Sequence, residues 1–185
     1  LLRFRCRIRI THPEVVVTKR FVAPVLILFV GLASAQDSPN PLIDYDAFKD
    51  NVVLVGVLRE SRRVTEAEFV LMSSDKNTVV LDARSSQKFD LLHVKGAKNL
   101  SFPDMTAEEL AKVVPSKDTR ILIYCNNNFL NEPNAFPSKA LTASLNVHTI
   151  NALYAYGYTN VFELGPLIDI RKTKIRFESS ESPGI

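Results

Sequence analysis

Between Val79 and Leu164, short apolar runs alternate with stretches whose apolar residues recur at helical spacing. Val79-Val80-Leu81 and Ile121-Leu122-Ile123-Tyr124 are continuous apolar runs, the pattern of strands buried on both faces. Val161 to Leu164 predicts another strand, and a short one is expected from Lys98 to Ser101 after a turn at Gly96. Thr65-Glu66-Ala67-Glu68 has the order of a capping box and predicts a helix to about Met72. Further helices are expected over Ser85 to Leu92, from Thr106 to near Pro115, and over Ala140 to Tyr156, the last stopped by Gly157. Strand and helix in alternation predict an α/β fold, a parallel sheet with helices on both faces. Upstream, Val52 to Leu58 is rich in β-formers and is read as a first strand. Residues 178–185 read as a disordered tail.

The first 35 residues have a different pattern. Thr18-Lys19-Arg20 is basic, Phe21 to Leu32 is apolar, and Ala33-Ser34-Ala35 places small residues where a signal peptidase cuts. The order predicts a cleaved secretory signal over 18–35 and a periplasmic or secreted product. The apolar stretch is well short of the roughly 20 residues needed to span a bilayer, so no stable membrane span is expected after processing. Residues 1–17 alternate basic and apolar positions. A basic preamble of this kind is atypical of a signal, and translation is expected to begin near Val17. The expected organisation is a leader over 1–35, an extension over 36–63 and one domain over 64–177.

Setting the leader aside changes the charge. It holds six of the 23 Lys and Arg and one of the 20 Asp and Glu, leaving 17 basic against 19 acidic side chains, a net of −2. No basic face is implied, and nucleic acid is not expected as a partner. Of the two cysteines, Cys6 lies in the leader, so Cys125 is alone and has no internal disulfide partner. It follows the run Ile121 to Tyr124 directly and opens the polar stretch Asn126-Asn127-Asn128. The carboxyl end of a buried strand is where open α/β sheets place their chemistry.

The order of residues around these elements resembles rhodanese-like domains. Val79-Val80-Leu81-Asp82-Ala83-Arg84 is similar to the family's strand and D-x-R turn. Phe89, His93-Val94 and Gly96-Ala97-Lys98-Asn99-Leu100 resemble its F…GHI-x-GA-x-N-I segment, and Tyr156-Gly157-Tyr158-Thr159-Asn160-Val161 its GY-x-NV joint. The Cys-Asn-Asn-Asn-Phe string resembles an exported bacterial sub-group with an Asn-rich loop. The resemblance implies a five-stranded parallel sheet and a sulfurtransferase cycle. In that cycle Cys125 would take sulfane sulfur as a persulfide and pass it to a thiol acceptor. It places Asp82, Arg84 and His93 at positions that support the fold. It implies no cofactor and no metal, and no Cys or His stands at ligand spacing from His93.

The loop departs from the family pattern Cys-x-x-Gly-x-Arg. Asn128 stands in place of Gly and Leu130 in place of Arg, and the loop is longer. Pro133 and Pro137 exclude helix there. Asn is the non-glycine residue most able to adopt positive φ, so Asn126, Asn127 and Asn128 are expected to curl into a nest of N–H groups around the sulfur. With Phe129 and Lys139 they make up the expected substrate-binding loop, Lys139 being the one nearby cation in sequence. A phosphatase loop, Cys-x5-Arg, is excluded because Asn131 stands where its arginine would be. Two readings remain. One is an exported sulfur carrier acting through Cys125, its donor and acceptor brought by partners. The other is a catalytically silent rhodanese fold that binds a protein through the long loop.

Overall fold

The computed structural model describes residues 40–180. The expected signal, the residues before it, Cys6 and the last five residues of the expected tail lie outside that range.

The first element is α1 (Tyr45–Arg59), started by Asp44, whose carboxylate accepts from Ala47 N–H. This corrects the strand expected over Val52 to Leu58. A short apolar run does not distinguish strand from helix, and packing overrides the weak β preference of its valines. Val55 is buried, the Asn51 carboxamide donates to Asn151 O (3.0 Å), and Arg59 Nε lies 2.5 Å from Glu163 Oε1.

Then follow β1 (Arg63–Val64), α2 (Glu66–Ser73), β2 (Thr78–Asp82), α3 (Ser86–Leu91), β3 (His93–Val94), β4 (Lys98–Asn99), α4 (Ala107–Val113), β5 (Arg120–Tyr124), β6 (Phe129–Leu130), α5 (Leu145–Ala155), β7 (Val161–Leu164), β8 (Ile168–Asp169) and β9 (Phe177–Glu178). The capping box at Thr65 and Glu68 forms as the sequence predicts. Gly157, at φ 80°, ends α5. That helix begins later than expected, because Ser144 is extended (φ −56°, ψ 130°) and only a short 3-10 turn, Leu141–Ala143, precedes it.

Five strands form one parallel sheet in the order β1-β7-β5-β2-β4. The chain moves outward from β2 to β4, then returns to β5 on the other flank of β2 and continues outward to β7. The direction therefore reverses between β2 and β5. The crevice beyond the carboxyl ends of two such strands is the usual ligand position in open α/β sheets. Asp82 ends β2, directly opposite Tyr124, which ends β5.

Side chains alternate along each strand and fill two cores. Leu81, Ile121, Ile123 and Val161 pack with Val55 of α1, Leu110 of α4 and Ile150 and Leu153 of α5. Val80, Leu122, Tyr124 and Leu164 pack on the other face with Phe69 of α2, and with Ile168 and Ile175.

The expected tail is partly structured. Glu178 belongs to β9, antiparallel to β3 and opposite His93, and its carboxylate accepts from Gly96 N–H (2.8 Å). Ser180 N–H donates to Asp90 O (2.9 Å). Burying Phe177 against Phe129 and Phe136 supplies the apolar contact that a polar tail lacks on inspection.

Glu163 is a charged side chain deep in the sheet, 1% exposed. Burial raises its carboxyl above the ordinary value, with Arg59 opposing the shift. A raised value in the fold means stability that is full below the unfolded carboxylate value and lost as pH rises through the folded one. Glu163→Gln cannot ionise. Its melting temperature relative to wild type should therefore climb as pH rises above about 4, the ordinary glutamate value. A flat or falling difference across that range refutes the assignment.

Candidate functional site

Beyond β5 the chain turns at once. Asn126–Asn128 form a single 3-10 turn, with Asn128 N–H donating to Cys125 O (3.2 Å) and Phe129 N–H to Asn126 O. Cys125 N–H donates to Asn128 Oδ1 (2.9 Å). The expected nest is reduced to one N–H: the turn brings Asn128 N–H to the Cys125 side chain, and the left-handed curl is absent. A nest needs alternating right- and left-handed residues, and the non-glycine residue with positive φ among those described is Asn131, at 70°. The Asn side chains bond to neighbouring segments instead.

Asn128 is the clamp of the loop. Its carboxamide donates to Leu164 O (2.8 Å) and Pro166 O (3.3 Å), and its Oδ1 also accepts from Asn146 Nδ2 (3.2 Å). It thereby ties the end of β5 to the end of β7 and to the first turn of α5. Asn127 makes a two-bond clasp with the main chain of Lys139, donating to its carbonyl (2.8 Å) and accepting from its N–H (2.9 Å). Lys139 touches the loop through its backbone, and its side chain is exposed.

Phe129, expected in the substrate-binding loop, turns into the core. Its ring lies 4.7 Å from that of Phe136, 5.2 Å from Phe177 and 5.9 Å from Tyr124. Leaving that cluster would expose one of the most buried rings of the fold.

Cys125 is 1% exposed. By strand alternation it points to the same face as Ile121 and Ile123, the face covered by α5. Its sulfur lies 3.4 Å from Ser144 Oγ. Ser144 and Asn146 were not singled out in the sequence. The available signal was a serine directly before the apolar spacing of a helix, the usual mark of an N-cap.

Asp82 and Arg84 form a buried ion pair beside the loop. Arg84 Nε donates to both Asp82 oxygens (3.0 and 3.1 Å) and Nη2 to Oδ2 (2.6 Å). The remaining guanidinium donors reach Ala135 O and Leu92 O, both at 2.8 Å. Tyr124 Oη donates to Asp82 Oδ2 (2.5 Å) and accepts from Val94 N–H (3.1 Å). Burial, followed by the Asp82 charge, pushes the Tyr124 hydroxyl well above the usual tyrosine range. It therefore stays a donor. The guanidinium also lies over the Phe136 ring, 4.2 Å from its centre. Arg84 is thus the buried cation beside the loop, its charge spent on Asp82, and Lys88 Nζ donates to Asn134 O of the same loop (2.6 Å).

His93 stands in a different corner. Its Nδ1 bonds Phe89 O (2.7 Å), its ring stacks on Phe89 at 3.6 Å, and its Nε2 lies 3.6 Å from Glu178 Oε1. Among the described residues, no group of three or more His, Cys, Asp or Glu side chains is placed to hold a metal ion. Nor is any described helix long and apolar enough to cross a membrane.

A five-stranded parallel sheet with a cysteine at its switch point is an open α/β domain that carries its thiol where such sheets place their ligands. The family model described as Rhodanese-like domain matches residues 65–165, and the chain belongs to that family. The matched span leaves α1, β1 and the segment from Pro166 to β9 outside it. Among solved structures, the chain is similar to a rhodanese with anions from E. coli. The two share 21% identity and a TM-score of 0.38, covering 55% of this chain and 98% of that one. A Bacillus halodurans protein shares 16% identity over 71% of this chain and 87% of its own, with TM-score 0.46. The rhodanese-like domain of an Anabaena protein shares 17% over 66% and 85%, with TM-score 0.46. No curated protein matches the chain.

Removing one member of a buried ion pair leaves the other charge unpaired, a loss of about 3–5 kcal/mol. Asp82→Ala strands both Arg84 and Tyr124 and should lower stability by that order, read by denaturant unfolding. Sulfur uptake per folded molecule should change little, since Asp82 bonds the frame around the loop. A stable Asp82→Ala protein that no longer takes up sulfur would overturn this division of roles.

Proposed function

We propose that the protein is an exported sulfur carrier or sulfurtransferase that acts through a persulfide on Cys125. The observation that carries the reading is the place of Cys125, just past β5 at the switch point of a rhodanese-family sheet. In the first half-reaction the Cys125 thiolate attacks the outer sulfur of a donor R–S–SH. The bond between the two donor sulfurs breaks, the donor leaves as R–S⁻, and Cys125 carries –S–SH. An acceptor thiolate then attacks that outer sulfur and releases the Cys125 thiolate. No net oxidation occurs and no cofactor is needed.

The charge around the loop narrows the donor. Between Asn126 and Ser138 there is no Lys or Arg, and Arg84 is neutralised by Asp82. The lysines nearest the loop offer a thiosulfate dianion little: Lys88 Nζ is bonded to Asn134 O and Lys139 is exposed to solvent. A persulfide brought by a thiol compound or a partner protein fits better. Entry requires a gap in the wall around a thiol that is 1% exposed. The loosest part of that wall is the stretch 138–143, every residue of which is exposed.

The burial of Cys125 also favours the second reading, a catalytically silent rhodanese fold that binds a protein partner through the loop. Free cysteine often packs as a small apolar side chain. Mass spectrometry of the folded protein after exposure to a persulfide donor separates the two. A gain of one sulfur at Cys125, lost in Cys125→Ser, is the expected result, with slow uptake from thiosulfate. A native thiol that takes up neither sulfur nor iodoacetamide until the protein unfolds would favour the silent binder.

Export is part of the same proposal and rests on the basic, apolar and small-residue order of 18–35. Protein isolated from its native host should begin at Gln36 or within a few residues of it by N-terminal sequencing. A host product that retains residues 18–35 would refute this.

A further inference from the structure

A serine at the start of a helix ordinarily turns its hydroxyl back to accept an N–H of the first turn. Ser144 starts α5, and its side chain makes no such bond. The hydroxyl lies against Cys125 Sγ instead, at 3.4 Å. Either atom of the pair can donate while the sulfur is a thiol. Once the sulfur is a thiolate, only the hydroxyl has a proton to give.

The arrangement is fixed from the helix side as well. Asn146, two residues into the same turn and 4% exposed, donates to the Asn128 oxygen that also holds Cys125 N–H. The first turn of α5 is therefore fastened to the cysteine loop through both its cap and its second residue. α5 is 11 residues long, so its N-terminus carries the partial positive charge of a full helix. Two buried oxygens on the same segments, Asn126 Oδ1 and Asn146 Oδ1, have no protein partner.

We propose that Ser144 is a positioning residue for Cys125. Its hydroxyl, on the N-terminus of α5, donates to the thiolate and, after transfer, to the inner sulfur of the persulfide. Hydroxyl and helix end together do the work of the loop cation that this chain lacks. The inference rests on the persulfide reading above. The hydroxyl proton is not transferred in either half-reaction; the bond made is between Cys125 and the donor's outer sulfur, and the donor leaves as its thiolate.

The test is the pH profile of Cys125 alkylation by iodoacetamide in the full folded protein, compared with Ser144→Ala, Ser144→Gly and Ser144→Thr. Glycine is tolerated at a helix start, so Ser144→Gly removes the hydroxyl with little cost to α5. Ala and Gly should both move the profile toward alkaline pH and slow alkylation at neutral pH on the order of 10-fold, the effect of one unit of displacement. Thr, which keeps a hydroxyl, should restore most of the rate. Melting curves identify any variant that fails to fold, in which case Ser144→Gly carries the comparison. Profiles that coincide with wild type in folded Ala and Gly variants overturn the role of Ser144 and leave the persulfide reading standing. A wild-type thiol that reacts only after unfolding overturns both.

Discussion

The site depends on one buried ion pair. Asp82 and Arg84 are both excluded from water, at 0% and 2% exposure. Two charges in that position are tolerated only when every donor and lone pair is occupied. The structure meets that demand with groups drawn from all around the switch point. Asp82 takes the Arg84 fork and the Tyr124 hydroxyl. Arg84 takes the carbonyls of Leu92 and Ala135. Satisfying the pair therefore fixes the ends of β2 and β5, the approach to β3 and the middle of the long loop in one network. The loop lacks regular structure over most of its length, and it gains its shape from this anchor.

Cys125 follows from that frame by simple geometry. Tyr124 must face the Asp82 side, and its neighbour in an extended strand must face the opposite side. The opposite side is covered by α5. So the residue that locks the hub also aims the thiol at the start of a helix. The long loop makes the approach possible. It leaves the strand through Asn126–Asn128, returns through the Asn127 clasp on Lys139 and delivers Ser144 to the sulfur. A loop that entered its helix directly after the cysteine would bring a different residue there.

Much of this was legible in the chain. The two central strands, β2 and β5, stand out as continuous apolar runs, whereas the edge strand β1 has no such mark, and the caps at Thr65, Thr106 and Gly157 are marked by residues with a mechanism. What was not legible depended on contacts far apart in sequence. The valines of α1 look like strand residues until Val55, Asn51 and Arg59 are seen against α5 and β7. The β3–β9 pair joins residues more than 80 positions apart, and two-residue strands leave no periodicity to read. The asparagines after Cys125 shape the loop as their position suggests, chiefly through side-chain amides, with one backbone N–H, that of Asn128, reaching the Cys125 side chain. Their side-chain amides hold it, while their backbones form an ordinary 3-10 turn. Propensity for positive φ describes what Asn tolerates, and it could not reveal that Leu164, Pro166 and Lys139 would offer bonds to its carboxamides.

The electrostatic character of the site follows from what stabilises charge there. A helix N-terminus contributes about 0.3–1 kcal/mol, rising to about 2 where water is excluded. A hydrogen bond to a charged group contributes about 1.5–3 kcal/mol. Both act on whatever negative charge develops on the sulfur in contact with Ser144. They are short in range and directed at one atom. A cation acts differently. At 4 Å and an effective dielectric of 20 it is worth about 4 kcal/mol per unit of charge, and its pull extends beyond contact distance. The chain sets Arg84 against Asp82, where that pull is cancelled, while Lys88 donates to Asn134 O and Lys139 is exposed to solvent. On the persulfide reading proposed above, such short-range groups hold an anionic sulfur already on Cys125, and a sulfur source that is uncharged or singly charged suits them best.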